Sequence, residues 1–277
     1  MGNIRRIVTN KTFLIHAILI VGSIAMVVPF IWMILTSLKT YAESIQVPPV
    51  IFPKDLQWGN YKEVFVLLPF LKFMFNTFFV TLIKTIGQLF FCSLAAYAFA
   101  RIQFPYRNVL FLLALSVLMV PGQVFLLPQY MIMVKLGWLN TLQAIIVPGL
   151  FSAFGTFLLR QFFMGLPKEL EEAAILDGCN HFQIYWRIML PLAKPGLIAL
   201  GIFTTLWSWN ELMWPMIVNS SPDAMTLSVG LSSLQGQFLT NYPILMAGSF
   251  LAILPMLVLF MILQKQFIEG IAITGGK

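Results

Sequence analysis

Few side chains in this 277-residue sequence could do acid–base, nucleophilic or metal chemistry: two histidines, two cysteines and ten carboxylates. His16 lies in an apolar run and His181 beside a candidate helix cap, so the two cannot build a metal cluster or a histidine-based triad. Cys92 and Cys179 fall in an apolar run and a polar segment respectively. No structural disulfide, redox or metal role follows from them. A phosphate-binding G-x-x-x-x-G-K-[ST] loop is missing too, since its nearest run, GIAITGGK at 270–277, has Gly276 where the lysine should stand. Any nucleotide hydrolysis that powers this chain must occur on another one. What chemistry remains is recognition: Glu169, Glu171, Glu172 and Asp177 crowd into ELEEAAILDGCNHFQIYWRIMLP at 169–191, and Lys84 and Glu211 interrupt long apolar stretches.

The elements that must hold these residues are set by composition. With 59% hydrophobic and 10% charged residues and a mean hydropathy of +0.88, the chain reads as an integral membrane protein. Apolar runs able to cross about 30 Å of hydrocarbon fall near 13–37, 73–97, 109–127, 142–163, 196–218 and 244–264. The first follows Arg5, Arg6 and Lys11, yet it is too long for a signal peptide and no A-x-A-like cleavage site follows, so it reads as an uncleaved helix. Placing the N-terminus inside puts most basic residues inside, among them Arg101, Arg107, Arg160, Lys168 and Arg187, and leaves Lys39, Lys54, Lys62, Lys72 and Lys135 outside. The positive-inside rule then favours both termini in the cytoplasm. The net charge of +7 is an orientation signal and a match to anionic membrane lipid, giving no reason to invoke nucleic acid. The expected fold is all-α with six transmembrane helices and a single transmembrane domain over 1–277. The first outer loop, about 38–72, carries prolines and the aromatic-rich WGNYKEVF and reads as an ordered cap. PQYMIMVKLGWLNT at 128–141 reads as a helix at the membrane surface.

Segment 169–191 can be read from local rules. Pro167 suits a helix's first turn, and Glu169, Glu171 and Glu172 suit its positive end. Leu170, Ala173, Ala174 and Asp177 recur at helical spacing as one narrow face, and Gly178 stands where a left-handed C-terminal residue is wanted. Asn180 and Gln183 resemble a capping box opening a second helix, on which Phe182, Tyr185, Trp186 and Met189 recur before Pro191 and Pro195 end it. The result is a cytoplasmic helix-turn-helix between spans four and five, small and acidic on its first half and aromatic on its second, the aromatic half resting on the membrane-embedded helices. Two readings fit: a docking face for another protein, whose Arg or Lys would meet the carboxylates, or an interfacial loop that only joins two spans.

Lys84 and Glu211 lie at matched depths of about 20 and 22 Å at 1.5 Å per residue, which permits an ion pair. They either line a permeation path or join two helices, and Lys84 has the further option of snorkelling outward. Trp207, Trp209 and Asn210 beside Glu211 offer stacking faces and polar groups suited to a sugar, although Trp is also a common membrane-interface residue.

Glu172-Ala173-Ala174, then Gly178, then Ile188-Met189-Leu190-Pro191 resembles the EAA signature of ABC-importer permeases, E-A-A-x3-G-x9-I-x-L-P, with every position filled. LLRQFFMGLP, WSWNELMWP and NYPILMAGSFLAILPMLVLFMILQKQFIEGI extend the similarity to the carbohydrate-importer branch, and more narrowly to the maltose-type second permease subunit. The tail departs from that pattern, ending ITGGK where relatives have a G-A-V-K-G-like sequence. The resemblance implies a bacterial inner-membrane permease with a core over about 73–265 and a coupling segment over about 167–194, in which Glu172, Ala173, Ala174, Asp177, Gly178, Ile188, Leu190 and Pro191 engage an ATPase. It implies two cytosolic ATP-binding cassette subunits holding ATP and Mg, a second related permease and an extracytoplasmic solute-binding protein. This chain would bind no cofactor itself and would be no enzyme. A sugar is the implied substrate, with Trp207, Trp209, Asn210 and Glu211 as candidate path residues, although in maltose-type systems the partner permease holds most sugar contacts. Other readings are a non-sugar cargo such as glycerol phosphate, or a scaffold subunit without a pathway; a membrane-embedded enzyme is disfavoured by the lack of paired carboxylates or a usable His or Cys–His site.

Overall fold

The computed structural model describes residues 2–236 and 239–275, with side chains over 12–265 except Leu14, Gln237 and Phe238. The side chains of Arg5, Arg6 and Lys11 and those of the tail ITGGK lie outside the described residues. Every regular element described is helical. In chain order these are α1 (Gly2–Ser37), α2 (Tyr41–Ile45), α3 (Gly59–Leu67), α4 (Phe70–Arg101) and α5 (Arg107–Ser116). They continue with α6 (Leu126–Leu136), α7 (Gln143–Ile146), α8 (Ala153–Met164), α9 (Glu169–Leu176), α10 (His181–Ile184) and α11 (Leu190–Leu192). The last four are α12 (Lys194–Asn210), α13 (Met213–Val218), α14 (Leu227–Ser232) and α15 (Tyr242–Gly275).

Four segments are long and apolar enough to cross a membrane: Ile15–Ser37, Phe70–Arg101, Gln143–Met164 and Tyr242–Lys265. Two bent pairs raise the number to six if each counts as one span. The expected third span, 109–127, is not one rod: Arg107–Met119 and Gly122–Leu136 meet at 98°. Pro121 explains the break, because the residue before a proline is pushed out of helical geometry and Val120 is extended at φ −95°, ψ 128°. The second bent pair is His181–Leu192 with Lys194–Asn210, at 76°, and the expected fifth span, 196–218, is divided again further on. Its helix stops at Asn210, Glu211 turns extended at φ −65°, ψ 121°, and α13 follows. Pro215 has no N–H to bond the carbonyl of residue 211, so a helix running through this point would lose that rung.

The chain divides into two compact units, Met1–Leu68 with Leu231–Leu254, and Pro69–Gly230 with Pro255–Lys277. In the first, the loop after α1 is ordered by local polar chemistry. Thr40 and Glu43 form a reciprocal capping box at α2. The Asn60 amide donates to the carbonyls of Ser37 at 2.8 Å and Lys39 at 2.9 Å. Lys39 is fully buried, its ammonium donating to the Val50 carbonyl at 2.6 Å above the Trp32 ring. The loop after α1 is thus held by its own side chains over 37–60.

The second unit is built on α4, against which α8 and α12 pack. Cys92, Ala96 and Tyr97 of α4, Leu159 and Phe163 of α8 and Leu200 of α12 share one buried core with Ala174, Ile184, Tyr185 and Met189. The break ahead of α8 has a local cause as well. Pro148 cannot bond the Ala144 carbonyl, and the Trp214 indole donates to that oxygen instead at 2.9 Å.

Candidate functional site

The EAA segment, 167–194, folds as two short helices about a tight turn. α9 opens with Glu169, Glu171 and Glu172 in its first turn and closes on Asp177. Pro167 falls before the helix rather than in its first turn, since Lys168 takes the capping position. Gly178 adopts φ +82°, the left-handed conformation expected of it. Asn180 then accepts from the Gln183 amide at 2.9 Å while the Gln183 side chain accepts from the Asn180 amide at 2.8 Å, which is the expected capping box. The second helix does not end before Pro191. It runs on as a π-turn over Tyr185–Met189 and then α11, with Pro191 in its first turn. The looser π ladder accommodates a residue that lacks an amide hydrogen.

The segment has an outer and an inner face, and the motif divides between them. Glu172, Ala173, Asp177, Gly178 and Pro191 are exposed, whereas Ala174 is buried and Ile188 and Leu190 pack against the buried core. The expected single face of small residues is therefore split, with Ala174 turned inward. The outer face is broader and more apolar than expected, adding Ile175 and Leu176, the latter 89% exposed. The aromatic half is divided likewise. Tyr185 and Met189 are buried, with Tyr185 bonded to the Ser93 hydroxyl at 2.8 Å, but Phe182 and Trp186 face outward.

Glu171 breaks the pattern expected of an acidic docking patch. One helical step of three from Ala174, it shares the inner face, with its side chain 12% exposed and its Oε2 3.7 Å from an Nη1 of Arg101. The Tyr97 hydroxyl donates to its Oε1 at 3.4 Å. Sequence reasoning missed Glu171, Arg101 and Tyr97 as a group. The available signal was the spacing of Glu171 to Ala174, which places both on one helix face.

A second polar constellation crosses the apolar interior. Four side chains of α4 meet three of α12 and Glu211 just past its end: Thr81 donates to Ser208 at 3.2 Å, Lys84 to Glu211 Oε2 at 2.6 Å, Thr85 lies 3.2 Å from Thr205, and Gln88 Oε1 accepts from Thr204 at 2.9 Å. The ion pair expected from matched depth is present, although Glu211 lies at the break after α12 rather than inside a helix. Gln88 also donates to the Gly149 carbonyl at 2.9 Å, and a side chain at Gly149 would strike Lys84. The ladder thus ties the break ahead of α8 to the break after α12. Its spacing, 3-1-3 for 81, 84, 85 and 88 and 1-3-3 for 204, 205, 208 and 211, keeps each set on one helical face and is visible in the sequence once the two segments are paired.

The four candidate path residues occupy separate settings. Trp207 is half exposed and stacks on Phe203 beside Phe154. Trp209 is buried and lines a cavity of about 180 Å³ with Phe78, Thr81, Pro255 and Met256. Asn210 is exposed and donates to the Leu206 carbonyl, and the Glu211 carboxylate is held by Lys84.

Fold and site together define a multi-pass helical membrane protein that presents a rigid helix-turn-helix on an anchored base. The chain belongs to the family of binding-protein-dependent transport system inner membrane components, whose pattern residues 88–271 match. It is 37% identical over 254 residues to an arabinooligosaccharides transport system permease protein of Halalkalibacterium halodurans, covering 91% of each chain. It is also 31% identical over 264 residues to an sn-glycerol-3-phosphate transport system permease protein of Pectobacterium atrosepticum, covering 92% of this chain and 94% of the relative. The fold matches a chain in the crystal structure of a bacterial ABC transporter involved in the import of the acidic polysaccharide alginate, with a TM-score of 0.79 at 24% identity over 93% of this chain and 97% of that one.

Proposed function

We propose that this chain is the permease subunit of a bacterial inner-membrane ABC importer for a sugar or oligosaccharide, and that a cytosolic ATPase docks on its EAA segment. The observation that carries the docking assignment is the two-faced segment: Tyr185, Met189 and Ala174 fix its base in the buried core, while Glu172, Ala173, Leu176, Asp177 and Gly178 stand outside as an apolar face edged with carboxylates. Such a face suits a groove on a partner rimmed by Arg or Lys. ATP and Mg are held by two ATPase subunits, and this chain itself hydrolyses nothing. The chain acts as one permease domain with core 73–265, crosses the membrane six times with both termini inside, and pairs with a second, related permease served by an external solute-binding protein. Closure of the ATPases moves the two EAA segments together and switches the pathway from inward-facing to outward-facing; hydrolysis resets it.

A sugar cargo is supported by the arabinooligosaccharide relatives, with Trp207, Asn210 and Glu211 as the reachable path residues and Trp209 buried behind them. The glycerol phosphate relatives support a polar phosphorylated cargo as the second reading. Both predict saturable uptake that depends on ATP and a binding protein, and competition between arabinose oligomers and glycerol phosphate in reconstituted vesicles separates them.

The docking reading is tested by purifying the tagged, detergent-solubilised chain from its native membrane, native and as Gly178→Pro. Recovery of an ATPase and a second permease with the native chain, and loss of the ATPase alone with the variant, is the expected result. Recovery of neither partner by a folded native chain would favour a scaffold instead.

A further inference from the structure

We infer that Arg101 and Glu171, with Tyr97, form the joint through which movement of the EAA segment is transmitted to the membrane helices, and that the adjacent Glu171 and Glu172 therefore do different work. The inference rests on the docking reading above and assigns the residues that act behind the docking face.

The geometry is that of one cation joining three elements. Arg101 is the last residue of α4. Its Nε donates to the Phe163 carbonyl at 3.0 Å, and its Nη2 donates to the carbonyls of Phe163 and Leu166 at the end of α8. Those carbonyls lie where a helix runs out of its own amide donors, at the negative end of its dipole. The remaining arm, Nη1, points to Glu171 on α9 at 3.7 Å. A planar guanidinium can serve all these acceptors at once, whereas a lysine ammonium would have to choose among them. Tyr97 holds the other Glu171 oxygen and packs edge-on against Phe163 with ring centroids 5.9 Å apart.

Burial makes the joint stiff. The Arg101 and Glu171 side chains are 4% and 12% exposed, so water cannot take either partner's place if α9 moves away from α4 and α8. Separation would leave two desolvated charges unpaired, which is far more costly than opening an exposed pair. A push on the outer face of α9 is therefore carried into the ends of α4 and α8 together instead of being absorbed between them. Glu172, one residue on, is exposed and free to meet a partner. Glu171 and Arg101 are positioning residues: they touch neither cargo nor nucleotide.

The experiment uses the assembled importer in liposomes, with its own partner subunits, and counts solute molecules moved per ATP hydrolysed. Glu171→Gln keeps the side chain's shape and removes its charge. We expect it to retain the ATPase through purification while the transport ratio falls about ten-fold, within the range of ordinary coupling factors. Tyr97→Phe, which removes one hydroxyl, lowers the ratio about two-fold. Arg101→Lys behaves like Glu171→Gln because it loses the fork. Glu172→Gln instead weakens ATPase retention. A merely structural role would lower stability, uptake and hydrolysis in step and leave the ratio alone, so an unchanged ratio for Glu171→Gln overturns the joint. If Glu171→Gln fails to assemble, the Tyr97→Phe ratio decides by the same criterion. Failure of the native chain to retain any ATPase overturns the docking reading and the joint with it, which an unchanged ratio in an assembled complex does not.

Discussion

Lys84 is held by Glu211 in a position where the lysine charge is not easily rehydrated and the carboxylate is only partly so, with side chains 8% and 30% exposed. Removing one partner of such a pair strands the other, at about 2 kcal/mol after allowing for the partial exposure of Glu211. Lys84→Met is therefore expected to lower the melting temperature in detergent, and addition of Glu211→Gln to restore roughly half the loss, because the carboxylate no longer needs a cation. Equal melting of single and double variants would show that the stranded carboxylate costs nothing. At the start of α4 the balance differs. Lys72 donates to Asp223 and holds its carboxyl below the usual aspartate range, but both side chains are at least half exposed. A depressed native pKa contributes stability above the unfolded value and loses it as pH falls through the native one. Thermal melts of the native chain and Asp223→Asn should thus differ slightly from pH 5 to 8, converge below about pH 4, and converge at all pH values in high salt. A difference that grew on acidification would contradict the assignment. Lys84 with Glu211 was legible from depth alone, since a helix rises by a constant amount per residue. Glu171 with Arg101 was not, because the 70 or so positions between them hide which way α9 turns.

The turn between α9 and α10 carries its own local code. Gly178 has φ +82° with open space around the place a Cβ would occupy, so Gly178→Ala meets no steric clash and costs only the left-handed backbone, about 1 kcal/mol. Asn180→Ala removes the capping box for about 1 kcal/mol. Both changes should loosen the amides around 178–184 in hydrogen exchange while leaving the α4 amides protected, and Gly178→Asn should cost less than Gly178→Ala. Faster exchange throughout α4 in these variants would mean that the turn is part of the core and not a separate rigid piece. This element was readable because each of its rules acts within four residues. The breaks at Val120–Pro121 and Glu211 were marked by prolines just as local, yet hydropathy averaged over a span conceals them: an apolar run looks continuous whether or not its backbone is. Pro191 marks the π-turn only in part, since that turn also reflects how Tyr185 and Met189 are drawn into a core assembled from distant helices.

For the whole molecule, the positive-inside argument makes one commitment that the chain's own cysteines can test. Cys92 is wholly buried and Cys179 is half-buried beside the exposed turn at Gly178, in the segment assigned to the cytoplasm. A membrane-impermeant maleimide should then label Cys179 in inside-out vesicles and leave it unlabelled in right-side-out ones, with Cys92 silent in both. Leu176→Cys in a Cys179→Ser background gives a stronger reporter, because Leu176 is almost fully exposed and no buried contact is lost. Lys135→Cys, in α6 after the bend at Pro121, should show the opposite sidedness. The same Leu176→Cys probe also reads the docking face: adding the ATPase to inside-out vesicles should slow its labelling several-fold, since a covered thiol reacts only when the complex opens. Labelling of position 176 from outside would reverse the topology and remove the cytosolic ATPase from reach. Labelling from inside that the ATPase does not slow would keep the topology and move the docking face elsewhere on the chain.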